Sequence, residues 1–325
     1  MKKSMLIPMF VAAAAALTLA FAAAAQSYPD RPVKMLVPYP PGGVTDGQAR
    51  VVAAGLAEIL GQPFVVESKA GASGAIAMEA LKNAAPDGYT LLVFALSQAA
   101  ILPATSKIKF EPGVDYAPVS NFGRSPQVLA VNQDLPVKTP QDLVAWSRSQ
   151  TNLTYASPGP GTTGHIAMTE FIERTGLNAV AVTVRGGPEA INNMVAGHIP
   201  ISIMNASDVV EQAKAGRIHA LAVTSPERIS QLPETPTMIE AGYKDFVMVT
   251  WNGLAAPAGT PKPIVDRLSA AVHETLKAPK NRELFSALVV TPVGNTPEDF
   301  TAEIKADVKR WGDAVRSGSP SKLAN

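Results

Sequence analysis

The chain has no cysteine among its 325 residues. A disulfide is therefore excluded, and so is a lipid anchor attached through cysteine. Histidine is scarce as well, and none of the spacings between the histidines matches those of zinc or other metal ligands. The four histidines are His165, His198, His219 and His273. The sequence predicts neither a metal site nor a bound cofactor.

Motifs of catalytic sites are missing or incomplete. The chain contains no G-x-S-x-G sequence, which forms the nucleophile elbow of many serine hydrolases. Ser106 and Lys109 fit S-x-x-K, but the S-D-N and K-T-G companions of that motif are absent. His273 and Glu274 begin an H-E-x-x-H zinc motif that lacks its second histidine. These gaps argue against an exported hydrolase, which stays open as an alternative.

Charge of one sign does not accumulate anywhere in the chain. The 28 basic residues nearly balance the 27 acidic ones, and no basic run is interleaved with aromatic residues. Nucleic acid and a membrane surface are therefore not predicted as partners. An anionic ligand would have to be held by local dipoles and a few chosen side chains.

The longest apolar run lies at the N-terminus, over residues 5–22. It follows Lys2 and Lys3 and precedes three alanines at 23–25, an arrangement typical of a secretory signal peptide and its cleavage site. A membrane anchor is the alternative, because the run is long enough to span a bilayer. We predict removal of residues 1–25 and a free periplasmic protein. That region holds two basic and no acidic residues, so the remainder carries 26 basic against 27 acidic residues and a net charge of −1.

Apolar strands and amphipathic helices alternate along the rest of the chain, which is long enough for two domains of about 150 residues. Strands are predicted at 33–37, 64–67, 90–95, 127–131, 153–156, 180–184, 199–204 and 220–223, and helices at 45–60, 74–85, 139–149, 164–175, 188–196, 208–215, 261–277 and 297–317. The alternation predicts parallel sheets covered by helices, with ligands beyond the carboxyl ends of the strands. The polar residues 317–325 are predicted to form a loose tail.

Two glycine-rich loops follow strands and open helices. The first, Pro38-Tyr39-Pro40-Pro41-Gly42-Gly43, leads into the helix predicted at 45–60. Such a junction directs free backbone N–H groups and the positive end of a helix dipole at one place, which suits a carboxylate or a phosphate. Nothing in this loop is typical of bond breaking. The pattern therefore predicts that the loop grips an anion.

The second loop, at residues 155–165, adds three hydroxyl groups, those of Ser157, Thr162 and Thr163. Its glycines at 159, 161 and 164 also spell G-x-G-x-x-G, and Arg185 lies about 20 residues further on, as in some NADP sites. A reductase and a plain glycine-rich turn are therefore alternatives to a second anion-binding loop. His165, at the helix start, is read as a capping or packing residue, with a catalytic base as the alternative.

Small polar residues recur at other strand ends. Ser97 and Gln98 follow one strand, Arg185 and Gly186 a second, and Asn205 with Asp208 a third. Each group alone is equally compatible with a turn or a cap, and Ser207 is a candidate N-cap. Their recurrence favours one shared cleft. Arg185 either clamps a second carboxylate or pairs with Glu189 on the surface.

Several segments together resemble the Bug family, the TctC-type solute receptors of tripartite tricarboxylate transporters. The matching segments are Tyr28-Pro29-Asp30-Arg31-Pro32, Val37-Pro38-Tyr39 through Gly42-Gly43 to Asp46, Ala85-Pro86-Asp87-Gly88-Tyr89-Thr90-Leu91, Gly159 through His165, Pro233-Glu234-Thr235-Pro236-Thr237, and Trp251-Asn252-Gly253-Leu254 through Pro261. They span essentially the whole chain after the predicted signal peptide.

The resemblance implies an α/β fold like that of periplasmic binding proteins, a two-domain Venus flytrap in which each domain is a mostly parallel sheet flanked by helices. Residues 26–124 with 249–325 would form domain I and residues 125–248 domain II, with the ligand cleft between them. It implies a monomeric receptor and not an enzyme, which binds a small organic carboxylate and delivers it to membrane subunits. A sensor that feeds a signalling partner would use the same cleft.

The resemblance also implies the ligand contacts, some of them through water. The ligand carboxylate is expected at Gly42, Gly43, Asp46, Ser157, Thr162, Thr163 and His165, and its far end at Ser97, Gln98, Arg185, Gly186 and Asn205. Tyr39 and Asp208, which belong to the same loops, complete the predicted set. Pro40 and Val184-Arg185 depart from the usual family pattern. Arg185 favours a dicarboxylate, either aliphatic or aromatic.

Overall fold

The computed structural model describes residues 28–316, so the predicted signal peptide at 1–25 and the predicted tail at 317–325 lie outside the described residues. Its strands are β1 (Val33–Val37), β2 (Phe64–Ser68), β3 (Thr90–Ala95), β4 (Tyr116–Asn132), β5 (Thr154–Ser157), β6 (Val180–Thr183), β7 (Ile201–Asn205), β8 (Ile218–Val223), β9 (Val249–Pro257) and β10 (Thr291–Pro292).

Ten α-helices are described: α1 (Val44–Leu60), α2 (Ala75–Lys82), α3 (Leu102–Thr105), α4 (Pro140–Ser147), α5 (Thr163–Thr175), α6 (Gly187–Val195), α7 (Ala206–Lys214), α8 (Lys262–Lys277), α9 (Pro279–Ala287) and α10 (Pro297–Arg316). A 3-10 turn (Ala72–Gly74) precedes α2, and a π-helical segment (Ser97–Ile101) precedes α3. Between residues 28 and 316, no helix combines the length and the apolarity that crossing a membrane requires.

The strands form two sheets. In the first, β2, β1 and β3 are parallel, and β9 lies antiparallel between β3 and β4. In the second, β6, β5 and β7 are parallel, and β4 lies antiparallel between β7 and β8. Each sheet thus contains the three parallel strands that strand–helix alternation predicts, together with antiparallel strands.

Strand β4 belongs to both sheets. Its first part, residues 116–126, pairs with β9, and its last part, residues 127–132, pairs with β7 and β8. Only 127–131 was expected as a strand, because Pro118, Gly123 and Pro126 interrupt the earlier part and prolines argue against a strand interior. The register shifts twice in the interrupted part, at 118/120 and at 121/123. Strand β9, buried along nearly its whole length, has no alternating pattern and was not predicted.

Helix boundaries mostly follow the expected capping signals. Thr139 caps α4 through a full capping box with Asp142, and Pro140 occupies the first turn, as predicted. The prediction that Ser207 caps a helix is wrong. Strand β7 runs directly into α7, so Asn205 is the N-cap and Ser207 lies inside the first turn. The helix expected at 74–85 ends at Lys82, and α3 and α9 were missed.

Candidate functional site

A cavity of about 340 Å³ lies where loops of the two sheets meet. The segments that follow β1, β3, β5, β6 and β7 all contribute to its wall, so the cavity lies beyond the carboxyl ends of parallel strands, as expected. Nine of the fourteen predicted site residues line it: Tyr39, Gly43, Ser97, Thr162, Thr163, Arg185, Gly186, Asn205 and Asp208. The other five, Gly42, Asp46, Gln98, Ser157 and His165, are not part of the wall.

Four helices begin at this cavity. Their N-cap residues, Gly43 of α1, Thr162 of α5, Gly186 of α6 and Asn205 of α7, all line it. None of the four makes a side-chain capping hydrogen bond. The first N–H groups of a helix have no partners within the helix, and the helix dipole places partial positive charge there. The cavity wall is therefore rich in backbone donors that suit an anion.

The loop before α1 is held in shape from behind. Asp46 Oδ2 accepts a hydrogen bond from the Gly42 backbone N–H at 3.1 Å, and the same carboxylate accepts from Arg50 Nε at 2.8 Å and Nη2 at 3.0 Å. Gly42 has a φ of +93°, which favours glycine. With its carboxylate oxygens bonded to Gly42 in the loop and to Arg50 on α1, Asp46 positions the donors and is not part of the cavity wall.

Gln98 has a similar supporting position behind Tyr39. Its Nε2 donates to Tyr39 Oη and to the Ser73 carbonyl, both at 2.8 Å. Its Oε1 accepts from the Ala95 backbone N–H at 3.0 Å and from Ser97 Oγ at 3.2 Å. Burial raises the pKa of the Tyr39 hydroxyl, so it stays protonated, and it donates to Ser97 Oγ at 3.1 Å because Ser97 donates to Gln98. The amide of Gln98 thus fixes a closed network of hydroxyl groups on the cavity wall.

The loop before α5 is organised by Ser157 and His165. Ser157 Oγ lies 2.9 Å from His165 Nδ1 and accepts from the Gly159 backbone N–H at 3.1 Å. Burial lowers the pKa of His165, which keeps the ring neutral near pH 7. Serine and histidine at this distance resemble a nucleophile and its base. However, Ser157 is only 1 % exposed and neither residue lines the cavity, so the pair shapes the loop.

The glycine pattern of that loop has a packing explanation. A Cβ on Gly164 would lie 2.6 Å from the carbonyl oxygen of Ile203, so only glycine lets α5 approach β7 this closely. The first two glycines, Gly159 and Gly161, have φ values of +112° and +79°. The G-x-G-x-x-G spacing thus serves a turn and a close helix–strand contact.

Thr163 and Gln127 form a polar pair on the wall. Gln127 Nε2 donates to Thr163 Oγ1 at 2.6 Å, which leaves the hydroxyl hydrogen of Thr163 available. Gln127 is only 1 % exposed, and its Oε1 has no hydrogen-bond partner. Its position as the polar start of an apolar strand was a signal that our sequence analysis did not use. Thr250 and Asn252 were missed for another reason, because they lie on β9, which was not predicted.

At the other end of the cavity, Arg185 pairs with Glu189. Arg185 Nε and its backbone N–H donate to Glu189 Oε2 at 2.9 and 3.0 Å, and the arginine side chain is 85 % exposed. Of the two roles predicted for Arg185, a ligand clamp or a surface ion pair with Glu189, this structure shows the ion pair. Asp208 also lines the cavity, where burial raises its pKa to about 7 even though part of the residue remains open to the cavity.

Loops from the two sheets touch across the cavity. Ser73, before α2, donates from Oγ to the Pro160 carbonyl of the loop before α5 at 3.0 Å. A Cβ on Gly43 would lie 3.8 Å from Pro188, and one on Gly186 would lie 3.8 Å from Pro40. These contacts place the glycine-rich loop of the first sheet against the start of α6, which follows β6 of the second.

Two α/β sheets that share one long strand, β4, and enclose a cavity ringed by helix N-termini define a solute-binding protein of the periplasmic type. A family model described as the tripartite tricarboxylate transporter family receptor, TctC, matches residues 48–318. The chain belongs to this family, which confirms the resemblance and the fold class predicted from the sequence. Members are solute receptors, so the chain is a receptor and not an enzyme, and the hydrolase and reductase alternatives are wrong.

Relatives agree with this assignment over nearly their full lengths. Protein BugT of Bordetella pertussis is 35% identical over 313 residues, which is 95% of each chain. The solved periplasmic binding protein BugD is 31% identical with a TM-score of 0.85, covering 89% of this chain and 98% of that one. MatC from Rhodopseudomonas palustris, solved with bound malate, is 30% identical with a TM-score of 0.84 and coverages of 89% and 100%.

Proposed function

We propose that this receptor binds a small organic carboxylate in the cavity between its two sheets and delivers it to the membrane subunits of a tripartite tricarboxylate-type transporter. The observation that carries the proposal is the ring of four helix N-termini without side-chain caps. Backbone donors in a partly dry cavity bind an anion without a net positive charge, and they need little reorganisation when it arrives.

The carboxylate belongs at the facing ends of α1 and α5. Gly43 and the first turn of α5 offer backbone N–H groups there, and Thr163 has a hydroxyl hydrogen left over. Tyr39, which is hydrogen-bonded to Ser97 and Gln98, adds a neutral polar side chain to the wall beside them. Asp46, Gln98, Ser157 and His165 then act by holding these donors in place.

The ligand would be enclosed by two lobes with the boundaries expected from the sequence, 26–124 with 249–325 and 125–248. The change of pairing partners within β4 between Pro126 and Gln127 supports a boundary at this point. The contact between Ser73 and Pro160 would form on closure and open on release. Closure of lobes around a ligand excludes water and strengthens each hydrogen bond inside.

The contacts described above indicate less about the group at the second end of the ligand than about its carboxylate. MatC holds malate, a dicarboxylate, which keeps the expectation of a dicarboxylate in the test panel. Arg185 supports it less than expected, because Glu189 already occupies its Nε.

The export of the receptor and the delivery of its ligand are also part of the proposal. We infer that the N-terminal segment is a cleaved signal peptide, that the receptor acts as a periplasmic monomer, and that its closed form docks on membrane subunits. A sensor would use the same cleft, and the family to which the chain belongs supports transport.

A thermal-shift panel of mono-, di- and tricarboxylates tests the binding role. Ligand at 100 times Kd stabilises by about 2.7 kcal/mol, or roughly 5–10 °C at about 2–4 °C per kcal/mol. Thr163→Val should weaken the best acid by about tenfold or more, because a hydrogen bond to a charged group is lost. Thr169→Val, on the same helix with its hydroxyl bonded to the His165 carbonyl, is the matched control. No shift across the panel, or equal affinities for both variants, would contradict the proposal.

A further inference from the structure

Asp208 is an acidic side chain on the wall of a cavity that is otherwise suited to an anion. The charged residues among those that line the cavity are Arg185, Glu189 and Asp208. Arg185 and Glu189 neutralise each other at 2.9 Å. Asp208 is left without a cationic partner on the wall, and an unpaired acid in a partly dry site is unfavourable unless something balances it.

The fold makes room for this carboxylate. Gly187 begins α6, and a Cβ built on it would lie 2.1 to 2.5 Å from the three carboxyl atoms of Asp208. Any larger residue at 187 would displace the acid. The glycine is required here by the space that the acid occupies and not by its backbone conformation, because Gly187 is not among the glycines with positive φ. Asp208 therefore sits in a position built for it.

Two amide side chains lie near the start of α7, the helix that carries Asp208. Gln127 of β4 is paired in register with Asn205 of β7, so the two amides are cross-strand neighbours. Asn205 is the N-cap of α7 and Asp208 is its third residue. Gln127 Oε1 and Asn205 Oδ1 are both buried without a hydrogen-bond partner. Both oxygens are closed off from the cavity, and the Asn205 side chain also hydrogen-bonds to Asp208. The carboxylate of Asp208 is therefore the acceptor that this side of the wall presents, whereas the helix N-termini present donors.

We propose that Asp208 determines the ligand specificity of this receptor by accepting the ammonium group of a small amino carboxylate. An ammonium group carries a positive charge and N–H donors, and the carboxylate of Asp208 supplies the negative charge and an acceptor. The positive group balances the acid while the carboxylate occupies the donors of α1 and α5. The second carboxylate of a dicarboxylate would instead meet a like charge at Asp208. This assignment rests on the proposed binding of a carboxylate in the same cavity.

Binding should also move a proton. In the empty cavity burial raises the pKa of Asp208 to about 7, so part of the population is protonated at neutral pH. An ammonium ligand favours the charged form and should expel that proton, whereas a second carboxylate should draw one in. The other titratable groups on the wall do not interfere: the pKa of Glu189 is lowered by Arg185, and those of Tyr39 and Arg185 are raised. The sign of the proton change thus separates the two ligand types.

Isothermal titration calorimetry with matched probes tests the assignment. The probes are 4-aminobutanoate and L-alanine, their counterparts butanoate and propanoate, which lack the amine, and the dicarboxylates succinate and glutarate. We expect an amino carboxylate to bind best, and Asp208→Asn to weaken it about tenfold or more and abolish its advantage over the counterpart without the amine. Asp142→Asn is the matched control, because Asp142 is also the third residue of its helix but is exposed and remote from the cavity.

The outcomes are distinguishable. Tighter binding of acids without an amine, or equal affinity of wild type and Asp208→Asn for the amino carboxylate, overturns the role of Asp208 but leaves carboxylate binding intact. No binding of any probe or of the wider acid panel overturns the proposed function itself. Should Asp208→Asn fail to fold, titration of the wild type at several pH values from about 4 to 8, each in two buffers of different ionisation enthalpy, decides. Proton release within this range supports the proposal, and proton uptake or no exchange throughout the range contradicts it.

Discussion

Two helices away from the cavity, α4 and α10, begin with side-chain caps that the four helices at the cavity lack, whereas α2, α3, α8 and α9 also begin without one. Remote from the cavity, α4 begins with a capping box between Thr139 and Asp142, and the Thr296 hydroxyl accepts from the Asp299 backbone N–H at the start of α10. At the cavity, α1, α5, α6 and α7 have no side-chain cap. A good cap stabilises a helix by about 1 kcal/mol relative to an apolar residue and by about a few tenths of a kcal/mol relative to glycine. The uncapped N-termini that share the cavity wall leave backbone donors that a bound anion can satisfy.

The third residues of α4 and α7 also differ in their surroundings. Asp142 and Asp208 occupy equivalent positions in α4 and α7. The Thr139 side chain and the backbone N–H groups of Lys138 and Thr139 lower the pKa of Asp142, whereas burial raises that of Asp208. Asp142 is bonded within its own capping box, whereas Asp208 is hydrogen-bonded to Asn205 and lines the cavity. The two positions are equivalent in their helices, but that of Asp208 lies at the proposed binding site.

The largest effect should follow from removing the space for Asp208. Gly187→Ala places a methyl group 2.1 Å from a carboxylate oxygen, which we expect to destabilise the protein by about 1–3 kcal/mol and to abolish ligand binding. Chemical denaturation and calorimetry measure the two effects. Adding Asp208→Ala to Gly187→Ala should recover most of the lost stability, because the clash disappears. If the two substitutions are additive, the two residues do not share this space.

A side-chain cap introduced at the cavity should raise the stability of the protein and lower its affinity for the ligand. Gly43 has an extended backbone and room for a Cβ, so Gly43→Asp can cap α1 with its own carboxylate. We expect a gain of a few tenths of a kcal/mol in the unfolding free energy and a loss of affinity of about tenfold or more, because the new carboxylate occupies the anion site.

Thr139→Ala removes the side-chain cap of α4, away from the cavity. It should lower the free energy of unfolding by about 1 kcal/mol and leave the affinity for the ligand unchanged. Unaltered ligand binding by Gly43→Asp would show that the N-terminus of α1 does not contact the ligand.

The two aspartates should respond to pH with opposite signs. The folded-state pKa of Asp208 is raised to about 7 from 3.8, so the stability associated with its protonated form is lost as pH rises between these values. The pKa of Asp142 is lowered, so its contribution is present at neutral pH and is lost as pH falls below about 4.

Melting temperatures of the Asp→Asn variants from pH 3 to pH 8 measure this difference. Relative to wild type, Asp208→Asn should gain stability above pH 6, by about 1 kcal/mol after allowing for its open side. Asp142→Asn should lose stability there and match wild type near pH 3. Parallel profiles for the two variants would contradict the contrast.

Wall residues could be predicted from the sequence where a local pattern marks them, and not where they depend on tertiary contacts. Gly43 and Thr162 were found because a loop that follows a strand and opens a helix is a local pattern. Thr250 and Asn252 were not, since β9 is buried on both faces and shows no alternation. The partners of Gln98 and Asp46, which place them behind the wall, depend on tertiary contacts with Ser73 and on loop geometry. Sequence patterns therefore locate the ends of elements better than the direction of their side chains.

Arg185 gives the smallest expected effect and the closest test of that difference. As the fixed cation at a strand end, it was expected either to clamp a ligand or to pair on the surface, and here it pairs with Glu189 and is 85 % exposed. Exposed pairs contribute about 0.2–1 kcal/mol, so Arg185→Ala should change stability by less than about 1 kcal/mol and affinity by less than about threefold. Calorimetry with the best monocarboxylate and the best dicarboxylate would measure this. A tenfold loss confined to the dicarboxylate would show that Arg185 leaves Glu189 to bind the second carboxylate of the ligand. Recognition of the ligand's second end would then be assigned to Arg185 and not to Asp208.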